Sequence, residues 1–265
     1  MTEQTDKPAE KPEEHVFEVI ETDHARQGVR HKGVYLLPNL ITTAALFAGF
    51  FAIVAAMNGQ FETAAIAILV AGVLDGMDGS VARMTNTQSK FGAEYDSLSD
   101  CVAFGVAPGL VAYSWALTDL GKLGWAAAFI YVACAALRLA RFNVQSDASD
   151  KRYFTGLPSP SGAGLVATMV WLGASRGVDG HDVGLLVAAL TAGAGLLMVS
   201  SVRYQSFKEY HIGRVPVRVL LGAIVAFAIV VLDPPLVLMS AVLIYVGSGL
   251  VLDLLRWSRE RKAAA

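Results

Sequence analysis

The sequence predicts an all-α fold, a polytopic integral membrane bundle of about eight transmembrane helices. Three observations lead to it. Hydrophobic residues make up 54% of the chain and charged residues 17%, with a mean hydropathy of +0.50, well away from a soluble globular profile. Apolar runs of about 20 residues, enough to cross ~30 Å of hydrocarbon, recur along the chain. Basic residues are also sorted by side: of 21 lysines and arginines, only Lys122 and Arg176 fall in the connections of one side.

Residues 1–32 are polar and charged and contain no apolar stretch of signal-peptide type, so they read as a cytoplasmic, disordered or partly helical tail. Spans are expected near 36–57, 61–82, 97–117, 124–142, 160–176, 183–201, 215–232 and 236–255. The 160–176 span is short and glycine-rich. Asp233-Pro234-Pro235 reads as an outer turn, and Asp253 with Arg256 as an interfacial pair at the inner end of the last span. Gly72 and Gly76 form a small-xxx-small pattern that suggests helix packing. The chain therefore divides into a tail at 1–32, a membrane domain at 33–232, and a last helix with a basic tail at 233–265. The basic asymmetry puts both termini on the cytoplasmic side. Cys101 and Cys134 both lie in spans and indicate neither a disulfide framework nor a zinc site. His31, His181 and His211 have no partner spacing and read as surface residues, and no nucleic-acid partner is expected.

Against this apolar background stands one charged string, Asp75-x2-Asp78-Gly79-x2-Ala82-Arg83-x8-Gly92-x3-Asp96-x3-Asp100. A charge deep in a bilayer costs about 2.5–3.5 kcal/mol on insertion scales, so four uncompensated carboxylates would cost on the order of 10 kcal/mol. No run of lysine or arginine lies close enough along these segments to offset that, and divalent metal is the economical counter-charge. Asp75 and Asp78 are i, i+3, and Asp96 and Asp100 are i, i+4, so each pair shares a helix face. If the two helices are antiparallel neighbours, both pairs converge on one site. Oxygen-only ligation favours Mg²⁺ or Mn²⁺ over zinc, and two ions are expected. Gly79, Ala82 and Gly92 keep side-chain bulk away, while Arg83 brings a fixed positive charge to the same mouth. Such a cleft suits a diphosphate. The second span leaves the membrane at Arg83 and the third begins near Asp96, so all four carboxylates meet just below the cytoplasmic surface.

At every constrained position this string resembles the signature of the CDP-alcohol phosphotransferases. Gly33-Val34-Tyr35-Leu36-Leu37-Pro38-Asn39-Leu40-Ile41-Thr42 is similar to the start of that family's first membrane helix. Phe104-Gly105-Val106-Ala107-Pro108, Ala136-Leu137-Arg138-Leu139-Ala140-Arg141-Phe142-Asn143 and Phe154-Thr155-Gly156-Leu157-Pro158-Ser159-Pro160 resemble its bacterial and archaeal phosphatidylserine synthase branch. The resemblance covers roughly residues 33–175. It implies a six-helix catalytic core, a homodimer in the prokaryotic cytoplasmic membrane, and CDP-diacylglycerol and L-serine as substrates. It further implies Asp100 as the base, and Asn39, Thr42 and Ser89 as polar groups near the nucleotide or diphosphate.

Arg138 and Arg141 admit two readings. Arginines ending a helix on the cytoplasmic side satisfy the positive-inside bias and snorkel. They are also i, i+3 on one face, and a pair of guanidiniums there can bind the donor phosphate or the carboxylate of an amino-acid acceptor. Other acceptors remain open at this stage: glycerol 3-phosphate, an inositol phosphate or choline. Outside the family, a carboxylate-lined cation transporter would show metal flux without nucleotide dependence, and a membrane scaffold with a structural metal would release no CMP.

Overall fold

The structure, a computed structural model, describes residues 36–85, 87–145, 153–205 and 217–264. The expected tail at 1–32 and the start of the first span at Gly33-Val34-Tyr35 lie outside them, as do His31 and His211.

Among the described residues eight helices run up and down: α1 (Leu36–Met57), α2 (Phe61–Thr85), α3 (Lys90–Leu120), α4 (Lys122–Gln145), α5 (Ser159–Ser175), α6 (Gly180–Val199), α7 (Val217–Leu232) and α8 (Pro234–Ala264). Six of them, all but α5 and α7, are long and apolar enough to cross a membrane. The protein is thus a polytopic helical membrane protein. Two differences from the sequence reading stand out. The third helix starts at Lys90, well before the expected 97, because Ser89 caps it: the Ser89 hydroxyl accepts a hydrogen bond from the Gly92 amide at 3.0 Å. And one antiparallel strand pair, Tyr153–Thr155 (β1) with Arg203–Gln205 (β2), links the chain before α5 to the chain after α6.

Alanine dominates the packing. One core joins α1, α2, α5 and the first half of α3 through Ala52, Ala55, Ala64, Ala71, Ala103 and Ala167, with Ile68 and Phe104 filling the gaps. A second joins α4, α5, α6 and the later part of α3 around Tyr131, Leu117, Val166, Val187 and Met198. In lipid there is no hydrophobic drive between helices, so small residues that let backbones approach supply the association energy.

Helix α5 lies between α2, α6 and α8, and Gly162 through Val170 are buried. Its 17 residues rise only about 26 Å, which a helix shielded by its neighbours can tolerate. That explains the short, glycine-rich segment in the sequence. Helix α7 is the opposite case. Among its described side chains Leu221, Ile224, Phe227 and Leu232 are exposed, and among the described residues it packs only lightly, against α8.

Helix α3 is continuous but not uniform. It is α-helical over Lys90–Asp100, π-helical over Cys101–Val106, α-helical again over Ala107–Ala112, and π-helical over Tyr113–Leu117. Pro108 has no N–H to give to the carbonyl of Phe104, four residues earlier. The Tyr131 hydroxyl of α4, fully buried, donates to that carbonyl at 2.9 Å.

Polar pairs hold the two ends of the bundle. At one end Arg176 is paired with Asp233, and His181 Nδ1 lies 3.1 Å from Asp119 Oδ2, tying together the turns on which Lys122 and Arg176 sit. Asp233 also sits at the start of α8, as its Asp-Pro-Pro sequence suggests, with its carbonyl accepting from Val237. The opposite end carries the strand pair and the four aspartates. Both cysteines are free thiols.

The small-xxx-small reading of Gly72 and Gly76 needs correction. A Cβ on Gly72 would make only an ordinary contact with the Phe104 ring, and one on Gly76 would meet nothing. A close helix crossing is found instead at Gly49 of α1, where a Cβ would fall 2.7 Å from the Ala103 Cα. Gly49→Ala should therefore force α1 away from α3 and cost about 1–3 kcal/mol, read as a lowered unfolding temperature in detergent. Gly76→Ala should be neutral or slightly stabilising in the same measurement, since alanine has the better helix propensity.

Candidate active site

Helix α2 supplies Asp75 and Asp78, and the α-helical first part of α3 supplies Asp96 and Asp100. The ligand oxygens of Asp75, Asp78 and Asp96 lie within 4.8 Å of one another. Asp100 joins them through a side-chain hydrogen bond with Asp75. The four acids that the helical spacing pairs off thus converge, with Asp78 buried and the other three partly so.

Helix α1 holds the acid-bearing helices in place. Thr42 Oγ1 lies 2.7 Å from Asp78 Oδ2 and 3.1 Å from the Pro38 carbonyl oxygen, so its single proton has two acceptors. Ser99 donates to the Thr42 carbonyl at 3.1 Å, and the hydroxyls of Thr43 and Tyr95 are 2.9 Å apart. The sequence reading placed Thr42 against the substrate. The structure shows it buried and bonded to Asp78, a positioning contact, because the pitch of α1 points this residue at α2. Asn39, one turn earlier, does reach the mouth of the site. A Cβ on Gly92 would meet the Asn39 amide oxygen at 3.3 Å and Ser89 Oγ at 3.1 Å, so these three residues converge and Gly92 leaves the room between them.

On the rim, Arg83 is exposed and donates from Nη2 to Ser80 Oγ at 3.2 Å. Its Nη1 would lie 3.5 Å from a Cβ on Gly79, so the guanidinium lies back along the glycine face of α2. Ala82 is half-buried beside it, and its carbonyl accepts from Thr87 as the helix closes.

The two arginines of α4 part company. Arg138 turns inward, half-buried, and donates from Nη1 to Ser159 Oγ at 2.8 Å, within electrostatic reach of Asp100. Arg141 is exposed. Two residues further on, Asn143 accepts through Oδ1 from Ser97 at 3.1 Å, tying the end of α4 to the turn between Asp96 and Asp100.

The donor set fits a hard divalent cation. Four carboxylates share one apolar cluster end, all the ligand atoms are oxygen, and Thr42 fixes the orientation of one of them. Carboxylates brought this close repel one another unless a cation sits between them.

Sequence reasoning left several of these partners out. Thr43, Tyr95, Ser97 and Ser99 flank the motif but carry no spacing signal. Ser159 lies in a stretch, Phe154 to Pro160, whose signal is only its overall resemblance. Tyr131 looks like any aromatic residue in an apolar span. The side chain of Arg256, expected beside Asp253, lies outside the described residues.

Comparison with known proteins agrees with this geometry. The sequence profile of the CDP-alcohol phosphatidyltransferases matches residues 35–199, the stretch from α1 through α6. A Helicobacter pylori protein named CDP-diacylglycerol–serine O-phosphatidyltransferase is 36% identical over 225 residues, covering 84% of this chain and 92% of its own. A Mycobacterium tuberculosis protein of the same name is 36% identical, covering 72% of this chain and 67% of its own. A Bacillus subtilis protein of that name is 34% identical, covering 66% and 92%. Helices, carboxylate cluster and sequence kinship agree, and the chain belongs to the CDP-alcohol phosphatidyltransferase family.

Proposed function

We propose that the protein transfers the phosphatidyl group of CDP-diacylglycerol to the hydroxyl of L-serine, giving phosphatidylserine and CMP. The observation that carries this is the convergence of Asp75, Asp78, Asp96 and Asp100 at one end of a membrane bundle, in a chain whose relatives bear that activity in their names. The direct test is CMP release from CDP-diacylglycerol that depends on L-serine. Release that instead follows another alcohol would overturn the acceptor assignment.

Asp75, Asp78, Asp96 and Asp100 would hold two ions of Mg²⁺ or Mn²⁺, whose chemistry is to offset negative charge on the diphosphate and the departing CMP. Arg83 and the polar edge made by Asn39 and Ser89 hold the nucleotide diphosphate against Gly79, Ala82 and Gly92, where no side chain blocks it. The acyl chains remain in the bilayer beside the helices. Thr42 keeps Asp78 oriented. Arg138 and Arg141 receive the acceptor's carboxylate. Asp100 takes the proton from the serine hydroxyl as its oxygen bonds to the lipid-side phosphorus. The bond from that phosphorus to the CMP oxygen breaks, and CMP leaves with the electron pair. No covalent enzyme intermediate is needed.

The sorting of lysine and arginine along the sequence supports a site and both termini on the cytoplasmic side of a prokaryotic membrane, where CDP-lipid headgroup and free serine meet. The active unit is a homodimer, as the family resemblance implies.

Three outcomes follow from it. EDTA should abolish activity, and Mg²⁺ or Mn²⁺ should restore it, since every ligand is oxygen; full turnover in thoroughly chelated protein would refute the metal assignment. Asp100→Asn should lower kcat by about 10²-fold or more, the usual contribution of a general base, while CDP-diacylglycerol binding is largely retained. Asp78→Asn should weaken metal and donor binding as well, measured as a raised metal requirement and a raised KM for the lipid.

Arg138→Ala should raise the KM for serine about tenfold to a hundredfold, the worth of a charge-assisted contact, with far less effect on the KM for CDP-diacylglycerol. Lysine at 138 should rescue poorly, because a point charge cannot reproduce the guanidinium fork. An equal rise for both substrates would assign Arg138 to the donor phosphate.

A further inference from the structure

Among the described residues three buried side-chain polar atoms have no hydrogen-bond partner: Arg138 Nε, Thr191 Oγ1 and the Tyr204 hydroxyl. Two of the three flank a single side chain, Tyr245 of α8. Tyr245 lies within electrostatic reach of Arg138, and its ring centroid is 5.6 Å from that of Tyr204. Its hydroxyl shares a hydrogen bond with Ser161 in the first turn of α5. Ser159, two residues earlier, holds Arg138 Nη1.

These five polar residues come from four elements brought together by tight turns. Gly156 has a positive φ of 84°, and a Cβ there would fall 2.2 Å from the Met198 carbonyl oxygen, so only glycine permits this turn into α5. Tyr204, at 1% exposure, packs across Gly249 of α8, where a Cβ would lie 2.2 Å from its ring. The cluster is thus rigid on three sides, and its Arg138 edge faces Asp100.

An unpartnered buried N–H or O–H is costly to leave unsatisfied. Two such donors beside one phenol, next to the proposed base, match a small acceptor molecule bearing an anionic group. Arg138 already uses Nη1 on Ser159, while its Nε–H has no partner among the described residues. A carboxylate set there would accept from Nε and from a phenol hydroxyl. A phosphorylated acceptor would call for more positive charge than this cluster contains.

We infer that Tyr245 is a specificity-determining residue of the acceptor site, receiving the carboxylate of an amino-acid acceptor together with Arg138. The inference rests on the serine reading above and extends it to a helix beyond the region that the family profile matches. Acceptor choice is then set partly by α8, which the common six-helix core lacks.

The test is steady-state CMP release by the full-length protein in detergent–lipid micelles, with CDP-diacylglycerol and L-serine varied in turn. Tyr245→Phe should raise the KM for serine about tenfold, as loss of a hydrogen bond to a charged group does, and leave the KM for CDP-diacylglycerol within twofold. Inhibition by L-alanine, which has the carboxylate but no hydroxyl, should weaken by the same factor. Should Tyr245→Phe fail to accumulate, Ser161→Ala removes the hydroxyl's partner without disturbing the ring, and a smaller rise confined to the serine KM is expected. An unchanged serine KM, or an equal rise for both substrates, would sink the role of Tyr245 while leaving the transferase reading intact. A wild-type protein that releases CMP without regard to serine would remove the acceptor assignment, and this inference with it.

Discussion

Three carboxylates, Asp75, Asp78 and Asp96, held within 4.8 Å of one another at the end of an apolar bundle, with Asp100 hydrogen-bonded to Asp75, are the constraint around which the rest of this structure is arranged. Left alone, they would repel, and each would lose hydration that the surrounding alanines and leucines cannot replace. The bundle answers this in two ways. It keeps the acids at the bundle's end, on the first three turns of α3 and the last three of α2, and it ties the flanking backbone to α1 through Thr42, Thr43, Ser99 and Tyr95. The bond from Thr42 fixes where one Asp78 oxygen points, and the others hold the flanking helices in register.

The same need for fixed geometry explains the irregular course of α3. The π-helical turns begin one residue after Asp100, and Pro108 interrupts the ladder that would otherwise reach Phe104. A helix with an unpaired carbonyl inside lipid would be costly. Tyr131 from α4 closes that gap, which also locks α4 in register with α3. Register of α4 in turn decides where Arg138 falls. A bond made for backbone satisfaction thereby helps to position the Arg138 side chain.

Helix α5 shows how a segment too short to face lipid becomes the centre of the fold. Its glycines and alanines let α2, α6 and α8 close around it, and its first turn delivers Ser159 to Arg138 and Ser161 to Tyr245. The small strand pair of β1 and β2 anchors the approach to this turn and inserts Tyr204 against α8. Packing and side-chain placement are one operation here, since the elements that fill the second core also hold Arg138 and Ser159 together.

What the sequence determined by itself was whatever depends on local geometry and composition. Runs of apolar residues define spans because hydrocarbon thickness is fixed, and i, i+3 and i, i+4 acids share a face because the helical pitch is fixed. The eight helices and the convergence of Asp75, Asp78, Asp96 and Asp100 were therefore legible. Tertiary structure alone decided the rest. Arg138 and Arg141 lie on one face by spacing, yet only Arg138 meets Ser159, because the neighbour that receives it is fixed by packing distant in sequence. Thr42 is turned onto Asp78 for the same reason. Gly49, and not the Gly72–Gly76 pattern, marks a close crossing, since a small residue shows that two helices can approach but not which helix does. Tyr245 carried no signal at all: one phenol in an apolar span acquires meaning only when α5 and β2 bring partners to it.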